Sequence, residues 1–464
     1  MLIGATAMAM LLGLGGAGLQ PAVDDGAVAP GQVEGRPVPA DRSPLQALVD
    51  RAAPGSVVVV SAGTYRGDLF LDRSITLRGE GEVLLLGSGH GSVIRVRAPR
   101  VTLEGLTIDG QGGGDLGRDS SGIHVAAPGV TIRGCRIRNS LFGIYLRESD
   151  QAVVEDTEVI GIPGRDPGEK GSGIHLWNSH HFRLERNFIH DVRDGFYVQS
   201  STSGVIRGNR ASDIRYGLHY MFSDDNLFED NVFENGAAGA ALMYSKRIVF
   251  RRNQFIRNRG FASVGLLLKA CDDVLAEDNL LADNARGLFM EGSSRNILRR
   301  NVIAGSDAAV ILYDSVSLNR FESNSFVSNR TPLLLVGTRT DTVFTGNYYT
   351  SNFEPDLDGD GKSDRPFTLS SVFDHFRGNV IAADLLVDTP AAEALALAER
   401  TFPVLRRISV ADPRPLVRAP LLAAVPMARR LGGPASVAGS VLSAGLLLMA
   451  IVGFHFGQRP GGLQ

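Results

Sequence analysis

Between residues 173 and 301 the chain alternates apolar and polar positions in short runs, and each run is broken by Asn, Asp, Ser or Gly. A period of two is the mark of short β-strands with one buried face, and no stretch here keeps apolar residues at helical spacing long enough to form a helix. The pattern also recurs. Gly173, Gly195, Gly217 and Gly239 are followed by Asn187, Asn209, Asn231 and Asn253, each fourteen positions on. After one stretched unit the pairing returns as Gly265 with Asn279 and Gly287 with Asn301. A 22-residue unit with a fixed Gly-to-Asn spacing predicts a solenoid, one turn of a parallel β-helix per unit. The asparagines belong at bends, where they tolerate left-handed backbone and can bond to their copies in the next coil. The fold class expected is all-β, a right-handed parallel β-helix.

Counting from the glycine sorts the unit into faces. Positions two and four hold Ile174/Leu176, Phe196/Val198, Leu218/Tyr220, Ala240/Leu242 and Leu266/Leu268, and form the inside. Positions three and five then face out. They hold His175/Trp177, Tyr197/Gln199, His219/Met221, Ala241/Met243, Leu267/Lys269 and Phe289/Glu291, with His124 and Tyr145 at position three of earlier coils. An outward column of His and Tyr with Trp and Met beside it is unusual for a solvated face and marks a contact surface. The partner-surface residues expected are His124, Tyr145, Trp177 and Tyr197.

The rest of the chain frames this repeat. Residues 1–20 are apolar and read as an export segment, though without the usual basic start, and 21–43 as a Pro/Gly linker. A short amphipathic helix from Pro44 is placed to cap the open end of the first coil. The β-helix is expected over 44–350, with ~13 coils at ~4.8 Å each making a rod of ~60 Å. Gly143 to Gly173 is 30 residues instead of 22, and the surplus, 161–170, is expected to project as a polar loop. Residues 351–430 form a mixed extension that includes a helix. Residues 431–456 are apolar, without charge, and long enough to span a membrane as a C-terminal helix.

Charge and cysteine content narrow the function. A net charge of −3 argues against a nucleic-acid surface. The 2 cysteines, Cys135 and Cys271, sit in strands several coils apart and are expected as free structural thiols. His219 is the sharpest chemical feature. Met221 lies on the same strand and Met243 at matching height in the next coil, so imidazole and two thioethers make a soft set suited to Cu(I), with His175 as a further candidate ligand. The competing reading is an apolar docking face. His180, His181 and His190 read as turn residues. Separately, Asp356, Asp358, Asp360 and Asp364 around Gly361 match the early positions of a calcium loop, although Phe367 stands where a bidentate acid is expected. A polysaccharide lyase or hydrolase needs acids gathered on one face, and Asp191, Asp194 and Asp213 read instead as turn formers.

The segments Gly173-Ile-His-Leu-Trp, Arg215-Tyr-Gly-Leu-His-Tyr-Met-Phe-Ser, Ala241-Leu-Met-Tyr-Ser, Gly346-Asn-Tyr-Tyr and Asp358-Gly-Asp-Gly resemble the NosD family, and the likeness covers about 44–420. The resemblance implies a non-enzymatic periplasmic β-helix protein of nitrous oxide reductase maturation. Its partners would be the ATPase and permease subunits of an ABC transporter, nitrous oxide reductase, and a copper chaperone. It would help deliver copper or sulfur to the reductase's copper centres, anchored here to the inner membrane by the C-terminal span. That span departs from the family pattern and rests on hydropathy. The alternative is a carbohydrate-active β-helix enzyme, with a structural or adhesive β-helix third.

Overall fold

One repeat unit makes one turn. The computed structural model describes residues 44–260, 262–402 and 410–420. In it the unit starting at Ser172–Trp177 continues through Arg183–Glu185 and Phe188–His190, and each strand pairs in parallel with its copy one coil on. Three parallel sheets result, with the apolar core inside the coil. The inside positions are as expected: Ile174, Leu176, Phe196, Val198, Leu218 and Tyr220 are all 0% exposed. The unit glycine exists because coils approach closely there. A Cβ on Gly217 would lie 2.4 Å from the Gly239 carbonyl oxygen.

The asparagines form a continuous internal ladder. The Asn187 backbone N–H and Nδ2 both donate to Asn209 Oδ1, at 2.9 and 3.0 Å, and Nδ2 also donates to the Val154 carbonyl. The pattern repeats through Asn231, Asn253, Asn279, Asn301 and Asn324 to Asn347. A buried amide is tolerable only when bonded, and here each is bonded on both sides. The last rung is different. Asn347 donates from its backbone and from Nδ2 to Asp412 Oδ2, at 2.8 and 2.9 Å.

Serines make a second ladder, Ser149–Ser179–Ser201–Ser223–Ser245, and Cys271 occupies the next place, its N–H donating to Ser293. Cys135 donates likewise to Thr157. Both thiols are free and buried, and burial pushes them up to about 11 and about 12, which disfavours the thiolate form. Outside the coil, Asp230 and Asp278 at left-handed bends accept paired bonds from Arg252 and Arg300 one coil on. Much of the chain's charge is spent in such exposed pairs, each worth little alone.

Both ends of the coil stack are closed. At the first, helix Pro44–Arg51 buries Leu45 and Val49, and the Gln46 side chain bonds the Phe70 N–H and carbonyl, pairing an edge strand. At the other, Phe367 stacks on Tyr349 at 4.3 Å, and Phe367–Thr368 pairs antiparallel with Ala411–Asp412. Packing of the coil end thus occupies the position where a calcium loop would carry its bidentate acid. Helix Val372–Asn379, started by a Ser371/Asp374 capping box, lies on the outside of strand Thr331–Val336. The expected export segment (1–20), linker (21–43) and apolar span (431–456) lie outside the described residues. Among the described residues no helix is long and apolar enough to cross a membrane.

Candidate metal and partner site

The strand after each unit glycine presents its odd positions outward, and register sets position three of one coil directly beneath position three of the next. His124, Tyr145, His175 and Tyr197 therefore stack as rings, with centroids 5.3, 4.4 and 4.3 Å apart and planes within 18°. His219 continues the column but meets Tyr197 edge-on, at 4.7 Å and 78°. Its Nδ1 lies 3.3 Å from Asp194 Oδ2, which turns the ring out of the stack.

Asp194 anchors this end of the column. It is 0% exposed and receives two bonds from Arg215, at 2.9 and 2.7 Å, with Arg193 at 3.4 Å. Burial pushes its carboxyl up, but the hydrogen bonds from His219 and Arg215 prevail and hold it at about 2. An ionised carboxylate only accepts, so His219 Nδ1 carries the proton and Nε2 is the nitrogen left to coordinate. Burial, aided by Arg95 and Arg147, holds His124 at about 4, and burial with Arg193 holds His175 at about 3. Both are neutral at neutral pH, the form that binds metals.

Met221 and Met243 are register partners one coil apart, as expected, and Ala241 is the partner of His219. One imidazole nitrogen and two thioether sulfurs on the same face fit a soft monovalent ion such as Cu(I) by donor type. Trp177 carries the Arg147 guanidinium over its ring at 5.0 Å.

Three expectations need correction. Outward does not mean solvated: Tyr145, Ala241, Met243, Leu267 and Phe289 are all buried, at 7, 1, 6, 2 and 5% exposed, because neighbours in the outer columns pack on one another and on covering segments. The loop 161–170 does not simply project. Its Ile162 packs with Leu116 against Leu141, Phe142 and Tyr145 on this face. Asp194 is not a turn former, whereas Asp191 and Asp213 are, with φ of 57° and 56°. Asp194, Arg215 and His219 do adjoin Tyr197 and Tyr216, a single acid with basic and phenolic neighbours and not a gathering of acids.

Sequence reasoning missed Phe222 and Tyr244. They follow the two methionines, stand 54 and 50% exposed, and stack at 5.2 Å in left-handed backbone (φ 50° and 53°). Large aromatic side chains are rare in that conformation. Asn178 and Ser200 hold the same offset in the preceding coils, so an alignment of the repeats at that offset is the signal. His180 bonds Thr202, His181 takes a left-handed bend (φ 56°), and His190 bonds Asp191, all away from the column.

The acidic loop also closes on itself. The carboxylates of Asp356, Asp358 and Asp360 come within 4.8 Å of one another. Asp356 accepts from the Gly359 and Gly361 N–H groups, Asp360 from Lys362 N–H and Arg414, and Asp364 from Leu357 N–H.

Residues 162–354 match the family model described as periplasmic copper-binding protein (NosD), and 85–221 match a right-handed β-helix region. Two curated proteins, each named "Probable ABC transporter binding protein NosD", are similar over most of the chain. The Pseudomonas aeruginosa protein is 28% identical over 406 residues, 81% of this chain and 92% of its own. The Stutzerimonas stutzeri protein is 28% identical over 386 residues, 77% and 86%. Among solved structures, the A-module of Azotobacter vinelandii mannuronan C-5 epimerase AlgE6 superposes with a TM-score of 0.57 at 16% identity, over 66% of this chain and 94% of that one. At that identity the likeness is one of fold alone.

Proposed function

We propose, from its similarity to the NosD family over most of its length, that the chain is a NosD-like, exported, non-enzymatic accessory protein. It binds Cu(I) on its outer aromatic face and hands it on within an ABC transporter assembly that serves the copper centres of nitrous oxide reductase. The relatives' name supports the transporter association, and the family description supports periplasmic copper binding. A copper chaperone is the expected donor. The inner-membrane anchor at 431–456 is proposed on hydropathy alone.

The observation that carries the reading is His219, held through Nδ1 by a buried carboxylate, beside the register pair Met221 and Met243. A carboxylate behind a ligating imidazole fixes its tautomer and raises its basicity, and thioethers select a soft ion. His175, neutral and two coils away, is a relay point along the column toward Tyr145 and His124. Copper, when bound, is cargo, and the protein's part is to offer ligands without forcing a geometry that would retain it. The test is a Cu(I) competition titration beside a pull-down of transporter and reductase from a denitrifying host, on the parent and on the His219→Ser, Met221→Gln, Met243→Gln triple variant. Copper affinity is expected to fall steeply. If affinity holds while partner capture weakens, the face is a docking surface only.

A carbohydrate-active reading has one specific observation in its favour: Tyr197, Arg215 and His219 stand together over Asp194 on an outer face. A lyase needs a base and a cation beside the sugar carboxylate. Here the cation is already bonded twice to Asp194, which leaves it poorly placed for a substrate carboxylate. Turnover of alginate- or pectin-type polymers by purified protein would establish that reading instead.

A further inference from the structure

Among the described residues, Phe353, Leu357 and Leu385 are the large apolar side chains left most open to solvent, at 90, 81 and 83% exposed. The first two lie on one loop, between the last coil strand Tyr348–Tyr349 and the strand Phe367–Thr368. That loop is braced. Glu354 N–H donates to Asn352 Oδ1, Ser363 Oγ donates to the Glu354 carbonyl, and Leu357 N–H donates to Asp364. With Asp356 accepting from the Gly359 and Gly361 N–H groups, the backbone carrying both side chains is tied down. Neither side chain buries enough to serve the fold. A lone exposed apolar residue is ordinary, but two fixed at one end of the rod mark a contact.

The course of the chain indicates what they meet. Leu416 N–H donates to the Asn347 carbonyl at 2.8 Å and Val417 N–H to the Gly361 carbonyl at 3.2 Å, and Leu416 bridges Tyr348 and Lys362. The chain therefore leaves the closed coil beside this loop. Only residues 421–430 then separate Pro420 from the uncharged apolar run 431–456. Even fully extended, that tether reaches at most ~35 Å, so a bilayer crossed by 431–456 lies within reach of the loop. The acids Glu354, Asp356, Asp358 and Asp360 give the loop no attraction for anionic head groups. What draws it to a bilayer is the apolar pair.

We propose that the loop 353–361 is a membrane foot: Phe353 and Leu357 enter the interface of a phospholipid bilayer, and the rod stands on its last coil. The proposal rests on the reading of 431–456 as an anchor and adds the surface that meets lipid. Two apolar side chains hold a bilayer weakly by themselves, and the tethered span keeps them close enough to do so.

The experiment is tryptophan fluorescence of the full chain reconstituted into phosphatidylcholine vesicles, with acyl chains brominated or plain, and with a chelator present so that no divalent ion bridges the acids. The single native Trp, Trp177, is the internal control, since the rungs from Asn187 to Asn347 put it ~34 Å back along the rod. Phe353→Trp and Leu357→Trp place a second indole on the loop, and Trp is itself favoured at the membrane interface. The chain is expected to float with the vesicles, and the parent emission to be the same in both lipids. In each variant the added emission should fall by about half in brominated lipid, as for a side chain ~5–10 Å into the interface. Both variants should melt with the parent, because the positions are exposed. A chain that floats while either added Trp is indifferent to bromine overturns the foot and leaves the anchor standing; a loop reserved for a membrane protein would behave so. A chain that does not float removes the anchor and the foot together. Quenching of Trp177 equal to that of the added indoles would show the rod lying along the bilayer, and a lower melting temperature in either variant would show a side chain that serves the fold. Each of these overturns the proposal.

Discussion

At the scale of single residues, the outer columns are neither core nor surface, and substitutions in them should divide accordingly. Met243 is 6% exposed and Met221 is half-buried on the same face. Met243→Gln is expected to lower stability by about 1–3 kcal/mol, since it buries an amide without a partner, and Met221→Gln by less than about 0.5 kcal/mol. Urea melts of the two single variants separate these values, and both variants should weaken Cu(I). The neutral histidines predict a pH dependence with a definite sign. His124 and His175 sit at about 4 and about 3 in the folded chain, below the ordinary 6.5, so the unfolded chain binds protons first as pH falls. Stability is therefore full above about pH 6.5 and declines toward pH 4, with unfolding taking up close to two protons. Denaturation midpoints at pH 7, 6, 5 and 4 measure that slope, and His175→Phe should flatten it. The column itself was legible from the alternation of the unit. Its burial was not, because Ile162 and Leu116 reach it from insertions whose path no period fixes. Asp194 was misread for a plainer reason: it lies seven residues after Asn187, not four like the bend residues Asp191 and Asp213, and shares its place with Tyr216 of the next coil, where packing turns it to Arg215.

At the scale of elements, the ladders explain why an asparagine returns to the same bend although successive rungs lie 22, 23 or 26 residues apart. Asn231 Oδ1 accepts from the Asn209 N–H and Nδ2, while its own Nδ2 donates to the Ile206 carbonyl and to Asn253. Asn231→Ala strands donors on both sides, and a loss of about 2–4 kcal/mol is expected in equilibrium unfolding, against less than about 1 kcal/mol for an exposed bend such as Asn178→Ala. This much was readable in advance, since fixed Gly-to-Asn spacing requires the bends to stack. The acidic loop is an element of another kind. Asp356, Asp358 and Asp360 are close enough to share one divalent ion, but Arg414 and backbone N–H groups already serve them. Calcium is thus proposed to bind weakly, raising the melting temperature only at millimolar concentration, where ten times Kd adds about 1.4 kcal/mol. Asp358→Asn with Asp360→Asn should remove the increment, and a parent indifferent to calcium would leave the loop a self-bonded turn.

At the scale of the whole molecule, the rod was foreseeable and its C-terminal closure was not. Helix Val372–Asn379 docks across strand Thr331–Val336 through Arg377 and Thr331, residues some 46 apart, and nothing periodic links them. The same is true of Asp412, which lies 65 residues beyond Asn347 yet takes the next place in its ladder. The ladder has a direction: every asparagine accepts from the coil before and donates to the coil after. An aspartate in that place accepts and has nothing to pass on. Asp412 is therefore a chain terminator in the polymer chemist's sense, a monomer with one reactive end. Asp412→Asn would set an amide NH2 against N–H groups that now donate to the carboxylate, those of Gly346 and Arg414 on Oδ1 or that of Asn347 on Oδ2, so it is expected to loosen the last coil and to lower the urea midpoint, as Asp412→Ala does. The ladder is thus closed by a side chain that has two acceptors and no donor, and each of its oxygens meets an N–H of the last coil.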